Sequence, residues 1–262
     1  MRLLLVFYCL VFFNCTQKRS TQFLQPNQVS LAQPRVVANS TLIDSFVTIK
    51  ANLKLDDVSI YYTSNGEEPS RSTTKYEHPI KVSNPGTFKF KAYHTDWNPS
   101  EFTALTLYKK GLDADTIVWH SKSSEKYKGQ GENTLINQTK ASLNFSDPQW
   151  VGFDTIASAT VSFKDNTFVK LLTVSYLNDA GSWIFPPESI TVILNEDIST
   201  KKTETIKSLN SLTARKMETV KIPIEAEVKS LRVEVHNLQS IPEWHEGHGT
   251  KAWLFMDEWI LN

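Results

Sequence analysis

The chain has 262 residues, with 28 Lys and Arg against 28 Asp and Glu, 40% apolar residues and 11% aromatics. That composition belongs to a folded globular protein and excludes a mainly disordered, collagen-like or polytopic membrane chain. A formal charge of zero leaves no basic field for nucleic acid and no acidic one for cationic partners. The length leaves no room for a catalytic barrel of roughly 250 residues beside smaller domains.

In chain order, Met1-Arg2 precedes an apolar run from Leu3 to Phe13. The run is too short for a bilayer, which takes about 20 residues, and has the layout of a secretory signal. Phe12-Phe13-Asn14-Cys15 resembles a bacterial lipobox, with Asn14 where Gly, Ala or Ser is usual. The resemblance implies a signal over residues 1–14, acylation of Cys15 and a lipid anchor in a Gram-negative envelope, with the outer membrane expected. A plain signal with a spare cysteine is the alternative. Cys9, the only other cysteine, lies inside the apolar run, so the mature chain has no intrachain disulfide. Residues 15–33 are polar and Gln/Ser/Thr-rich and read as a flexible tether.

From residue 34 the pattern is one of short period-two runs broken by turn residues. Val47–Ala51, Val58–Tyr62 and Phe88–Ala92 alternate as strands do, with turn signals at Asn65-Gly66 and Asn84-Pro85-Gly86. Tyr61 and Tyr62 are neighbours on one strand and face opposite ways, one toward the core and one toward the surface. Lys109-Lys110-Gly111 ends this block at residue 110, and a second block runs over 112–262. Its strands are expected at Ala159–Phe163, Lys170–Tyr176, Ser189–Leu194, Val220–Ile224, Ser230–His236 and Ala252–Ile260. Patterning over Asp197–Arg215 leaves loop or short helix open. Trp150 and Phe153 are expected in the core. Many short strands and few helices predict an all-β chain of two β-sandwiches.

The first block carries Tyr61-Tyr62-Thr63-Ser64-Asn65-Gly66-Glu67-Glu68-Pro69-Ser70, then Tyr76-Glu77-His78-Pro79-Ile80 and Asn98-Pro99-Ser100-Glu101. It resembles the chitobiase/β-hexosaminidase C-terminal, or fibronectin-type-III-associated, domain, which implies a small immunoglobulin-like or fibronectin-like sandwich over residues 34–110. The second block carries Tyr127-Lys128-Gly129-Gln130-Gly131, Trp150-Val151-Gly152-Phe153, Gly181-Ser182-Trp183-Ile184-Phe185-Pro186-Pro187, Pro242-Glu243-Trp244-His245 and Lys251-Ala252-Trp253-Leu254-Phe255-Met256-Asp257-Glu258. It resembles the discoidin-like (coagulation factor 5/8 type C) jelly roll found at the C-terminus of family 20 glycoside hydrolases. Two departures stand out: Asn137-Gln138 replaces an Asp-Gly, and Asn195-Glu196-Asp197 replaces a Ser-x-Asp-Gly. In those hydrolases the two domains follow a catalytic barrel; here they follow the signal. The resemblance therefore implies the accessory end of a glycosidase without its engine.

Asp257-Glu258 is the most tempting carboxylate pair, but strand neighbours point to opposite faces and cannot flank one scissile bond. The resemblance implies that Glu258 could hold a structural calcium, for which carboxylate and carbonyl oxygens are suited; a buried carboxylate bonded to backbone is the alternative. No other cofactor is expected. His245-Glu246-Gly247-His248 has a spacing of three and two nearby glycines, which reads as a loop rather than as the zinc motif with histidines at i and i+4. An indole in a loop can stack on a pyranose, and a neighbouring imidazole can bond a hydroxyl. Trp244 and His245 are on this ground the leading carbohydrate-binding candidates. Tyr127 and Trp183 join them, although Trp183 also reads as a core plug, as does Trp253.

The function expected is a non-catalytic, lipid-anchored protein that binds a glycan or glycoconjugate through discoidin-like loops, with no nucleic-acid partner. The alternatives are a structural or docking lipoprotein holding another envelope protein, and an accessory part of a glycosidase system with no sugar binding of its own.

Overall fold

The computed structural model describes residues 29–262. The signal, Cys15 and the tether as far as residue 28 lie outside the described residues. Ser30 and Leu31, expected in the tether, are instead part of the first sandwich. Ser30 forms a bridge to Asn98, and Leu31 donates to the Asn98 carbonyl at 3.0 Å and is buried in the core.

The fold is all-β. The first unit contains β1 (Arg35–Ala38), β2 (Leu42–Ile43), β3 (Val47–Asn52), β4 (Ser59–Thr63), β5 (Thr74–Lys75), β6 (Ile80–Val82), β7 (Gly86–Tyr93) and β8 (Thr103–Lys109). Three strands in the order β1-β3-β6 face five in the order β2-β8-β7-β4-β5. Alternate residues of β3 and β7 (Val47, Ile49, Phe88, Phe90, Ala92) fill the space between with Ile60 and Leu107, as period-two strands require. Tyr62 stacks on Phe90 at 5.5 Å on the core side. Tyr61 meets Tyr93 edge-on at 5.5 Å. Asn65-Gly66 does not close a two-residue hairpin, because β4 and β5 are joined across residues 64–73. Asn65 Oδ1 instead accepts the Glu67 amide at 3.1 Å, and Gly66 takes the left-handed φ of 79° that the bend needs.

The second unit contains β9 (Thr116–Trp119), β10 (Val151–Phe153), β11 (Ala157–Asn178), β12 (Ser189–Leu194), β13 (Asp197–Thr205), β14 (Lys216–His236) and β15 (Leu254–Leu261). Of the five strands expected within 159–236, Ser189–Leu194 is β12, and the other four are really two long ones, β11 and β14, paired antiparallel almost end to end. Their register slips between Ser162 and Thr167 and again between Val169 and Leu171, and such bulges bend a ladder. The first half of β11 also pairs with β9, the second half with β15, and the last part of β14 with β12. Ile117, Phe153, Val161, Leu172, Val192, Leu231 and Trp259 meet in one core. Trp150 and Phe153 are buried as expected. The undecided stretch 197–215 begins as the exposed edge strand β13 and ends as a loop.

Asn195 and Glu196 both sit at left-handed φ, 49° and 60°. The tight turn survives without its usual glycine because Asn195 Oδ1 accepts the amides of Lys229 at 2.7 Å and Ser230 at 3.1 Å. Gln138, in the other departure, also has positive φ (59°). Its side chain accepts the Gly111 amide at 3.1 Å and donates to the Leu112 carbonyl at 3.0 Å, so it clips the linker.

The units join at that linker. Leu112 donates to the Leu261 carbonyl at 2.6 Å and Asn262 Nδ2 to the Lys110 carbonyl at 3.2 Å. A Cβ on Gly111 would lie 2.8 Å from the Leu261 oxygen, closer than packing allows. The two cores share no residue.

Two outcomes follow. A fragment spanning 112–262 should show its own cooperative transition in calorimetry, below that of the full chain because it loses the linker contacts; a fragment with no transition would show that the units fold only together. Glu196→Gly should stabilise the chain by about 1 kcal/mol, since left-handed φ costs a non-glycine residue that much, and a chemical-denaturation midpoint reads it.

Candidate functional site: the loop end of the second sandwich

The loops after β9, β10, β11, β13 and β14 all open at the end of the sandwich where β15 begins, while Asn262 and the linker lie at the other end. Short backbone bonds tie these loops together. Phe185 donates to the Trp253 carbonyl at 2.9 Å, Trp253 to Trp183 at 2.8 Å, Glu188 to His236 at 2.8 Å and Ile206 to Glu188 at 2.9 Å. Arg215 Nε bonds Asp179 Oδ2 at 2.7 Å.

Trp183, Trp244 and His245 come together over Ala180, Phe185, Ile241 and Ala252. His245 is the hub. Its ring meets Trp183 at 5.2 Å, Phe185 at 5.4 Å and Trp244 at 5.5 Å, all edge to face. Nδ1 accepts the Gly247 amide at 3.0 Å, which puts the ring proton on Nε2, and this donates to the Ala180 carbonyl at 2.9 Å. With 4% of its surface exposed, His245 has no nitrogen left for a sugar hydroxyl. The expectation that it contacts a ligand directly is corrected: His245 holds the loop in shape. The Gly247–Gly249 stretch turns back on itself, as the loop reading expects, and a Cβ on Gly247 would collide with Trp183 Nε1.

Trp244 is half-buried. Its Nε1 donates to the Leu209 carbonyl at 3.1 Å and its ring lies 6.1 Å from Phe185. Trp183 is also half-buried, at left-handed φ of 61°. Tyr127 lies in a neighbouring cluster, 4.6 Å from Phe255 and 5.5 Å from Trp253, and the Trp183–Trp253 backbone bond joins the two clusters. All four candidate aromatic residues therefore lie at one end, three of them, Tyr127, Trp183 and Trp244, only partly buried.

Asp257 and Glu258 do not divide between opposite faces. A bulge between the pairs Ser175–Glu258 and Tyr176–Met256 leaves Asp257 over, and both carboxylates reach segment 138–141. Asp257 takes Lys140 Nζ at 2.7 Å and the Ala141 amide at 2.9 Å. Glu258 Oε2 takes the Thr139 amide at 3.4 Å. Lys140, which also bonds Ser175, has 1% of its side chain exposed and Asp257 none. Burial pushes the Lys140 ammonium down, and Asp257 pushes back. Tyr108 of the first unit covers the ammonium, 5.2 Å from ring centre to Nζ. Burial, with Asp257 second, pushes the Tyr108 phenol up to about 12.

Glu258 Oε1 is buried without a partner, the one feature here that invites a cation. The rest of the donor set does not fit calcium. Asp257 is already neutralised by Lys140, no group of three acidic, histidine or cysteine side chains converges anywhere among the described residues, and an ammonium stands beside the site. Burial, then Asp257, pushes Glu258 up to about 9 against the backbone N–H of Gln138, Lys140 and the N–H of Thr139. A neutral acid is a poor ligand for a hard cation. The expected calcium role of Glu258 thus finds no support in this donor set, in which burial pushes the carboxyl toward its neutral form. Lys140 was missed because no periodicity marks a lysine in a polar stretch; the loss of the expected Asp-Gly at 137–138 was the one available signal.

Residues 39–104 match the chitobiase/beta-hexosaminidase C-terminal domain family. No curated protein sequence matches the chain. Among solved structures, similarity is found to CpGH89CBM32-4 of Clostridium perfringens in complex with glcNAc-alpha-1,4-galactose, at 19% identity over 57% of this chain and 90% of that one, TM-score 0.33. SusE-like protein BT2857 is similar at 13% identity over 86% and 97%, TM-score 0.31. A glycoside hydrolase is similar at 9% identity over 87% and 59%, TM-score 0.36.

Two measurements check this description. Chelation with EDTA should leave the melting temperature unchanged. Glu258 has a folded value above its unfolded one, so the folded state holds the extra proton, and stability declines as pH rises from about 4.3 toward 9. Glu258→Gln, which mimics the neutral acid, should flatten that decline across pH 5–9; an unchanged slope would show that Glu258 is ionised in the fold.

Proposed function

We propose that the chain is a non-catalytic, lipid-anchored glycan-binding protein of the cell envelope. In this reading its second sandwich is a discoidin-like module that contacts glycans through the loop end. The observation that carries the reading is the gathering of partly exposed rings, Trp183, Trp244 and Tyr127 with Trp253, at the end away from the linker. Rings pinned from behind offer a flat apolar face to the C–H face of a sugar and lose little entropy on binding. The family match over 39–104 supports an accessory role. The Asp257–Glu258 pair gives no support to hydrolysis, since both side chains are fully buried and cannot reach a glycosidic bond. The anchor rests on the Leu3–Phe13 run and Cys15, acyl chains contributing about 0.8 kcal/mol per buried methylene.

Glycan-array binding of the full-length protein tests the sugar reading. Trp244→Ala, at a temperature where circular dichroism shows it folded, should weaken binding about tenfold, the scale of one lost ring contact. Undiminished binding by the folded variant removes Trp244 from the site, and an array with no hits favours docking to a partner protein. Labelled fatty acid should enter the wild type and not Cys15→Ala; equal labelling rejects the anchor.

A further inference from the structure

Beside the aromatic clusters, the loop after β9 folds across the end of that strand and leaves an open cleft of about 260 Å³. Its walls are Trp119 and Val151, with Ser123, Lys122, Lys128 and Glu132 around the mouth. None of these was named from the sequence as a ligand contact, although Lys128 and Val151 stand in the motifs that carry the discoidin-like resemblance. The volume falls just below the range of drug-sized ligand sites, which suits a single sugar ring.

The cleft is built rather than incidental. Trp119 is braced from behind by Phe153 at 5.5 Å and Trp259 at 6.2 Å. Its Nε1 donates to the Glu132 carbonyl at 2.9 Å, so the polar edge of the indole is used and the ring is held in one orientation. The wall residue Val151 is buried, and a bridge to Val151 fixes the backbone of Lys128. Gly131, at φ 120°, leaves open space where a side chain would stand.

The charges around the mouth are unequal in their commitments. Lys122 is matched by Glu125 at 2.6 Å. Lys128 forms no direct ion pair among the described residues, although its charge also lowers Glu125, and it lines the cleft beside an apolar wall. A neutral sugar would use the wall and leave the ammonium in water. A sugar bearing a carboxylate would use both, since a charge-assisted bond is roughly twice as strong as a neutral one. Glu132, on the same rim, would disfavour a second acidic group and can accept hydroxyls.

We propose that this cleft binds an acidic sugar residue, a pyranose with a carboxylate substituent, its C–H face against Trp119 and its carboxylate on Lys128. The inference deepens the glycan-binding reading and rests on it, while using different residues from the Trp244 surface.

The test compares methyl glucuronide with methyl glucoside, which share a ring and differ at one carbon, by NMR titration of the full-length protein in detergent at low salt. The glucuronide should bind at least tenfold tighter, and the preference should shrink at high salt as the attraction is screened. Lys128→Gln should abolish the preference, Lys128→Arg should keep it, and Glu132→Gln should strengthen glucuronide binding. Equal affinity for the two sugars, no binding of either, or a Lys128→Gln variant that still discriminates overturns the proposal. Trp244→Ala separates the two readings. If it loses array binding but keeps the glucuronide, both sites stand. If the glucuronide binds while the wild type has no array hits, the loop-end reading fails alone. If array hits depend on Trp244 and the glucuronide does not bind, the cleft fails alone.

Discussion

The continuous pairing of β11 with β14 is the constraint on which the second sandwich depends. Once the backbone is buried, its N–H and C=O groups must stay paired, so the ladder cannot simply be cut where the chain passes from one layer to the other. It bends instead, and the slips near Ser162 and Val169 absorb the bend. Each half then recruits different neighbours, β9 and β12 on one side of the bend and β15 on the other. Both tips of the bent pair come back to the same end, which is why five loops crowd there and the opposite end is left to short turns, the C-terminus and the linker.

A second constraint is electrostatic. The bulge in β15 turns two adjacent carboxylates toward one segment, where burial and the neighbouring Asp257 push Glu258 toward its neutral form and the Asp257 carboxylate calls for a cation. Lys140 supplies it from within the chain. A buried ion pair gives little net stability against a well-packed apolar alternative, but removing one partner leaves an uncompensated charge and costs roughly 3–5 kcal/mol. Tyr108 closes over the ammonium from the first unit, and Gln138 clips the linker two residues away from it. Internal charge balance and the joint between the sandwiches are therefore parts of one patch, and a change at Lys140 would be felt on both sides.

The sequence made the fold class legible because period-two patterning depends on burial alone. Val47, Ile49, Phe88 and Phe90 alternate toward one core, and no tertiary information is needed to see it. It hid strand continuity, since a bulge at residues 162–167 looks like a turn: polar Lys164-Asp165-Asn166 interrupts the alternation whether the chain stops or only bends. The loop-end aromatics could be named, but not their partners. Nothing in Trp244-His245 announces that Gly247 and Ala180, on two different loops, take both imidazole nitrogens. The rule that strand neighbours face opposite ways failed at Asp257-Glu258 for the same reason, because a bulge is a property of the pairing and not of the strand. Trp119 and Lys128 were not legible as ligand contacts, since the cleft between them exists only once the β9 loop is folded.

Strand direction then fixes how the candidate surfaces are presented. β9 enters the second sandwich from the linker and β15 leaves toward it, so both run parallel to the line from linker to loop end or back along it. Any loop that precedes β15 or follows β9 must lie at the far end, whatever its residues. The first sandwich is fastened at the near end through Lys110, Leu112 and Asn262. A membrane anchor preceding residue 29 would therefore hold the chain by its first unit, and the Trp183–Trp244 surface and the Trp119 cleft would both sit beyond the second unit from it. Half-burial of Trp183 and Trp244 belongs to the same arrangement, because both pack on Ala180, Phe185, Ile241 and Ala252 and so close the end of the core.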